Sequence, residues 1–591
     1  MKSVTIPQKY KREYLSSTFG FTNWTDLEPY AKDLTTRTIQ NLEDLQKWMK
    51  DINELQIVVG EEIRWLMVKS TCDTTDETIK TAYENFVANI QPHLTKLVHQ
   101  LDVKLLENPY LKDLDQEKYF IHIRATQKSV ALFCEENIPL QTQSRLKEKK
   151  YGKITGASTV TIDGEELTMQ QASKMLMRRD RDLRARVYNA LITRRLQDKK
   201  ILNDLFDELV EMRHEMALNA NYKDYRDYKF AAMGRFDYTV NDCFQFHDSI
   251  IKVMVPLSDQ IDHRRKVALG FSDLYPWDMS VDPLGKAPLK PFDKTSELIE
   301  KTAACLDRVK PKFGDYLRIM DKMGHLDLDS RKGKSPGGYN CGMPETGVPF
   351  IFMNAVGSMR DVTTMVHEGG HAIHSFLTKD LELLTFQSVP SEVAELASMS
   401  MELISMEHWG ASFFESKEEL IRAKIQQLEK VISGLPWIAL IDKFQHWIYT
   451  NPKHTAAERE EAWRDFQSDF ESNVVSYEGM EEYRASNWLP QLHLFEVPFY
   501  YIEYGMAQLG AIAVWRNYKH NPQKALEQYE AALSLGYTKT IPQIYETAGI
   551  EFNFSLKYVE ELGAFVTDEL HQLYDQLDSL SRANSLVEVT V

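Results

Sequence analysis

The chain has 591 residues, of which 43% are hydrophobic and 27% charged, an ordinary composition for a globular protein with room for large cores and more than one domain. Its net charge of −17 argues against a nucleic-acid partner, which would call for a basic face. No apolar run approaches the roughly 20 residues of a membrane span, and the start Met1-Lys2-Ser3-Val4-Thr5-Ile6-Pro7 has no hydrophobic signal core, so no membrane association is expected.

Most of the chain reads helical. Leu42, Leu45, Met49 and Ile52 recur at helical spacing inside a stretch without proline from Ala31 to Ile90. The charged run from Arg145 to Lys150 reads as solvated surface. Thr159 to Thr168, centred on Asp163-Gly164, predicts a β-hairpin, after which Met169 opens another helical run. The proline-rich span from Tyr275 to Pro291 reads as a connection. Ser335 to Pro344 is rich in Gly and Pro and reads as a loop. The apolar run from Val348 to Asn354 predicts a short strand. A strand lining a cleft pairs with an extended peptide through backbone hydrogen bonds. Gly333-Lys334-Ser335 is no phosphate loop, because that motif needs glycine where Leu328 stands and Pro336 follows at once. No internal repeat of roughly 20–50 residues is visible.

His367-Glu368-Gly369-Gly370-His371 spells H-E-x-x-H, the zinc-hydrolase signature. On a helix the two histidines lie on one face, one turn apart, and reach one metal ion from the same side. Glu368 projects beside such a metal, where a carboxylate acts as base on an activated water. Val362, Met365, Val366, Ala372, Ile373, Phe376 and Leu377 give the segment a helical apolar pattern. The longer H-E-x-x-H-x-x-G-x-x-H motif is excluded by His374 and Leu377. His374 competes as a ligand in principle but lies further along the helix, and is expected to be packed or to support a ligand.

A catalytic zinc takes three protein ligands and keeps one position open. The next predicted helix begins near Pro390-Ser391, with Ser391 as the expected N-cap. It offers Glu392 and Glu395, either of which suits a third ligand. Acids in a first turn also favour the helix dipole, which fits Glu392 better. Glu395, Ser398 and Glu402 share a face, which suits one carboxylate on the metal and another orienting a histidine ligand.

About a hundred residues on, His493 and Tyr500, Tyr501 and Tyr504 fall within twelve positions. Tyr501 and Tyr504 share a helical face after Pro498. A phenol or imidazolium aimed at the developing oxyanion stabilises the transition state of peptide hydrolysis. Tyr500 is read as packing.

His367-Glu368-Gly369-Gly370-His371-Ala372 followed by Pro390-Ser391-Glu392-Val393-Ala394-Glu395 resembles the zinc core of the M3 metallopeptidases, most closely the oligoendopeptidase F branch, relatives of thimet oligopeptidase. The resemblance implies one Zn²⁺ held by His367, His371 and Glu395. Glu368 is then the general base, with Tyr504 and His493 at the oxyanion and Tyr501, Gly338 and Tyr339 as substrate contacts. The spacing back to His493 differs from the thimet pattern. The family more often has a large residue and then glycine between the Glu and the second His. The Gly369-Gly370 pair here suggests that position 369 has no room for a side chain, or that a strand approaches it.

The resulting expectation is a mainly α protein with two helical lobes around a deep substrate channel and a small β-sheet beside the zinc helix. Residues 1–185 would form an N-terminal helical region and residues 186–585 the catalytic domain. The expected function is a zinc endopeptidase acting on short unstructured peptides. A zinc carboxypeptidase of similar fold and a non-catalytic peptide-binding protein are the alternatives, the latter disfavoured by the intact Glu368. The five cysteines are scattered and show no C-x-x-C, which fits a reducing, cytoplasmic setting. The oligomeric state is not legible.

Overall fold

The computed structural model describes residues 4–589, with side-chain surroundings for residues 4–582. It is mainly α-helical, and its strands are five short segments: β1 (Thr159–Ile162), β2 (Glu165–Thr168), β3 (Leu326–Asp329), β4 (Tyr339–Cys341) and β5 (Phe350–Ala355). The proline-free stretch builds the helix Leu42–Cys72, whose Asn41 side chain accepts from the Asp44 N–H at 2.8 Å and so caps an orphan donor. Leu45 and Met49 fall on its buried face.

Apolar side chains between Leu15 and Tyr119 gather into a core of their own, joined by Leu383 and Phe386 from the middle of the chain. A much larger core draws on the rest, from Tyr151 to Leu577. The β1–β2 hairpin turns on Asp163 and Gly164, both with positive φ (51° and 88°), as a two-residue primed turn requires. It packs Val160 and Ile162 against Leu183, Val187 and Leu191. The proline-rich span is a connection containing one short turn of 3-10 helix, Pro276–Asp278.

The second sheet has the order β3-β5-β4, with β3 parallel and β4 antiparallel to β5. The strand expected at 348–354 therefore exists, but as the central strand, and both of its edges are taken. The edge strands are β3 and β4, and β4 lies inside the stretch read as loop. Asn354 holds that stretch in place, donating through Nδ2 to the carbonyls of Ser335 (2.9 Å) and Gly337 (3.0 Å). Three strand residues among glycines carry no periodicity of their own, so β4 is set by its partner. Lys334 is consumed by the same scaffold. Its side chain is fully buried and donates to Asp327 Oδ1 and to the carbonyls of Asp327 and Asp329, each at 2.9 Å.

Candidate active site

The helix Met359–Thr378 follows β5 after a tight turn through Gly357. Asp361 in its first turn accepts from the N–H groups of Val356 (2.9 Å) and Ser358 (2.8 Å), which fixes where the helix begins. His367 and His371 then project from one face, as their spacing predicts.

The helix Ser391–Met406 packs directly across them. It starts with Pro390 in the N-cap position, so Ser391 is its first helical residue and not the cap. The two helices can approach because residue 370 is glycine. A Cβ there would lie 2.6 Å from the Ser398 Cα and 2.8 Å from the Ala397 carbonyl oxygen. A Cβ at Gly369 would meet only Leu306 Cδ1, at an ordinary 3.7 Å. The crowded position is therefore 370 and not 369, and the close neighbour is a helix backbone and not a strand.

The approach brings three donors together. Glu395 Oε2 lies 3.3 Å from His367 Nε2 and 3.6 Å from His371 Nε2. One donor atom from each of the three falls within 4.8 Å of the others. Burial works against the Glu395 charge, yet His371, His367 and the Tyr500 hydroxyl together hold its pKa down at about 2, which favours the ionised carboxylate. His367 Nδ1 sits 2.7 Å from Glu402 Oε1. Gln427 Nε2 donates to Glu402 Oε2 at 2.7 Å. This carboxylate orients the ring and leaves Nε2 pointing at the site. Two nitrogens and a carboxylate oxygen, two of them braced from behind, are a donor set that suits zinc.

The competing acid and histidine are turned elsewhere. Glu392 Oε1 accepts from the Tyr238 hydroxyl at 2.5 Å, on the side where Arg235 pairs with Glu503 at 2.8 Å. His374 is buried with its pKa pushed down to about 3 by that burial, and it stands outside the donor cluster. Glu368 is only 5% exposed and its Oε2 has no hydrogen-bond partner. Burial pushes its pKa up to about 7, the range that suits a base working near neutrality. Asn340 of β4 donates from Nδ2 to the Glu368 carbonyl at 3.3 Å, linking the edge strand to the motif.

The aromatic cluster arrives on the short helix Leu492–Glu496 and the helix Tyr501–His520. Between them Phe499 adopts a left-handed backbone, φ 68°, a costly conformation for a bulky residue. Gln445 Oε1 accepts its N–H at 2.6 Å, and Arg235 donates to its carbonyl. This anchored kink aims Tyr500 back at the site, where its hydroxyl donates to Glu395 Oε1 at 2.8 Å. Tyr500, read as packing from sequence, thus holds the third donor of the cluster. The i, i+3 pairing of Tyr501 with Tyr504 gave no sign of this, because Tyr500 precedes their helix on an irregular turn.

His493 and Tyr504 do reach the same region. The Tyr504 ring stands 5.2 Å from that of Tyr500 and 5.8 Å from that of His493. Burial pushes the His493 pKa down to about 4, so at neutral pH the ring is a neutral imidazole and not the imidazolium considered from sequence. Its tautomer is set by a relay that sequence reading missed. The Trp437 indole N–H donates to Gln491 Oε1 at 3.1 Å, and Gln491 Nε2 faces His493 Nδ1 at 2.7 Å. Because the indole can only donate, the amide must donate to Nδ1, which leaves the proton on Nε2. Tyr501 backs this relay, its ring 4.8 Å from His493. Gly338 is confined, since a Cβ there would lie 3.3 Å from the Phe352 carbonyl oxygen. The Tyr339 hydroxyl pairs with Thr71 Oγ1 at 2.5 Å, and its ring stacks on Phe352. That side chain ties the long N-terminal helix to the sheet.

The model of peptidase family M3 matches residues 174–564, and that of the peptidase M3 N-terminal domain matches residues 17–133. The chain belongs to peptidase family M3. Among curated relatives it is similar to an oligoendopeptidase F homolog of Borreliella burgdorferi, 25% identical over 295 residues that cover 48% of each chain. It is also similar to the oligopeptidase PepF of Bacillus subtilis, 21% identical over 72% of this chain and 63% of that one. The chain thus spans about half to just under two-thirds of the lengths of these relatives. In fold it resembles PZ peptidase A solved with an inhibitor, with a TM-score of 0.88 and 24% identity over 94% of this chain and 99% of that one. The oligoendopeptidase F of Enterococcus faecium gives a TM-score of 0.64 at 16% identity, over 94% of this chain and 98% of that one.

Proposed function

We propose that this protein is a zinc-dependent oligoendopeptidase that cuts internal bonds of short, unstructured peptides. The observation that carries the reading is the convergence of His367 Nε2 and His371 Nε2 on one oxygen of Glu395, at 3.3 and 3.6 Å, beside the buried Glu368. His367, His371 and Glu395 would hold one Zn²⁺. Zinc in such a site supplies Lewis acidity, which lowers the pKa of a water and polarises a carbonyl. Glu368 takes the proton of the attacking water and passes it to the leaving amine. The Tyr504 hydroxyl and the His493 Nε2–H donate to the oxyanion as it develops. The edge of β4, next to Gly338 and Tyr339, offers backbone groups to an extended peptide. A channel between helical lobes would limit substrates to short chains. The five free thiols support a reducing, cytoplasmic setting.

A quenched peptide with a blocked C-terminus tests the reading together with metal analysis. The wild type is expected to cleave it internally, and mass spectrometry locates the bond. Cleavage only of the unblocked peptide, at its last bond, would make the enzyme a carboxypeptidase. Glu395→Ala is expected to lose zinc and Glu392→Ala to keep it, and the reverse pattern would refute the ligand set.

A further inference from the structure

A second cluster of ligating side chains lies where two other helices cross. The helix Val240–Leu269 carries Cys243 and His247 four residues apart, and the helix Lys417–Thr450 carries Asp442 and His446 four residues apart. Each pair lies one turn apart on its helix and shares a face, and the two faces meet. One donor atom each from Cys243, Asp442 and His446 lies within 4.8 Å of the others. All four residues are buried, with Cys243 and Asp442 at 0%, His247 at 2% and His446 at 4% exposure.

Hydrogen bonding within the cluster is incomplete. Asp442 Oδ2 meets both imidazoles, His247 Nε2 at 2.8 Å and His446 Nε2 at 3.1 Å. Asp442 Oδ1 and His446 Nδ1 have no hydrogen-bond partner. The carboxylate's only ion pairs among the described residues are with these two histidines, with no lysine or arginine. A fully buried carboxylate with an unpaired oxygen is costly unless a positive charge reaches it. A hydrogen-bonded His-Asp-His group alone leaves that oxygen unsatisfied and gives Cys243 no part.

We propose that Cys243, Asp442 and His446 form a second, structural metal site for a zinc-class divalent cation, with His247 steadying the carboxylate. A thiolate, a carboxylate and an imidazole suit zinc better than magnesium or calcium, which prefer oxygen ligands. Binding displaces the Cys243 thiol proton to solvent, and thiolate and carboxylate together neutralise the dication. The site is closed, so it has no place for substrate and takes its metal as the chain folds. Its position gives it consequence. Gln445, next to His446, accepts the Phe499 N–H, and the His446 ring stands 5.3 Å from the Phe499 ring. Pinning these helices together steadies the kink that presents Tyr500 to Glu395.

The test uses the full chain loaded with zinc or with cobalt(II). Wild type should hold about two equivalents of zinc, and Glu395→Ala and Cys243→Ser about one each. With cobalt, wild type and Glu395→Ala should both show the near-ultraviolet charge-transfer absorption of a cobalt thiolate, because the catalytic cluster contains no cysteine, and Cys243→Ser should lack it. Should Cys243→Ser fail to fold, the wild type and Glu395→Ala decide the matter, since neither alters this cluster. Absence of the band from wild type, or its survival in folded Cys243→Ser, overturns the site. If Cys243→Ser loses metal while Glu395→Ala keeps all of it, the catalytic reading fails and this one stands.

Discussion

The helix Met359–Thr378 and the segment from Gln491 to Tyr504 deliver groups to the same place by different means. The first is a regular helix, and the spacing of His367 and His371 alone sets their common direction. The second is a five-residue helix, a left-handed Phe499 and the start of a new helix. Its side chains are aimed by partners distant in sequence: Arg235, Gln445 and Trp437. The direction of groups placed by helical periodicity can be read from the chain, whereas the direction of Tyr500, placed by an anchored irregular turn, could not. The functional division follows the same line, with the two proposed histidine donors and the base on the regular helix, and the proposed oxyanion donors and the Tyr500 support for Glu395 on the irregular segment.

The sharpest break of this division is Glu368→Gln. It removes the base and leaves every donor of the metal cluster in place. Turnover is expected to fall by about 10²–10⁴, the range typical of general-base catalysis, with zinc content unchanged by metal analysis. Retained activity in protein free of contaminating proteases would remove Glu368 from the mechanism. Tyr504→Phe comes next and tests the second region. The loss should be about 10²–10³ in kcat with KM moving far less, because the charge it meets develops only in the transition state. Steady-state kinetics on one quenched peptide reads both constants.

Tyr500→Phe sharpens the comparison, since this residue sits in the aromatic segment but acts on the metal cluster. Losing its hydrogen bond to Glu395 should cost about 10–100-fold in metal affinity or activity, as for other partners of metal ligands. A chelator competition titration measures it, and wild-type affinity would return Tyr500 to a packing role. The smallest effects concern the close approach of the two helices. Gly370→Ala forces a Cβ against Ser398 and should destabilise the fold by about 1–3 kcal/mol. Gly369→Ala has room and should gain up to ~1 kcal/mol of helix propensity. Denaturant unfolding of the two variants compares them directly, and equal destabilisation would mean that the crowding at 370 is not what fixes the interhelical distance.

The sequence by itself determined the mainly helical character, the hairpin on Asp163-Gly164, the strand before the motif and the face shared by His367 and His371. It also indicated Glu402 as a carboxylate placed to orient a histidine. Each is a local property, carried by a period of two or 3.6 residues or by a turn that demands positive φ. Tertiary structure decided the rest. Glu392 and Glu395 are alike in type, and spacing left both open until the family resemblance pointed to Glu395; the packed helices set Glu395 against the histidines and Glu392 against Tyr238. β4 exists because β5 lies beside it, and the Tyr339 hydroxyl finds its partner in Thr71, more than 260 residues earlier in the chain. The neutrality of His493 and the direction of Tyr500 depend on burial and on anchors far off in sequence. A residue type specifies which interactions it can make, and the packed fold fixes which partner it meets and how far water is excluded from the pair.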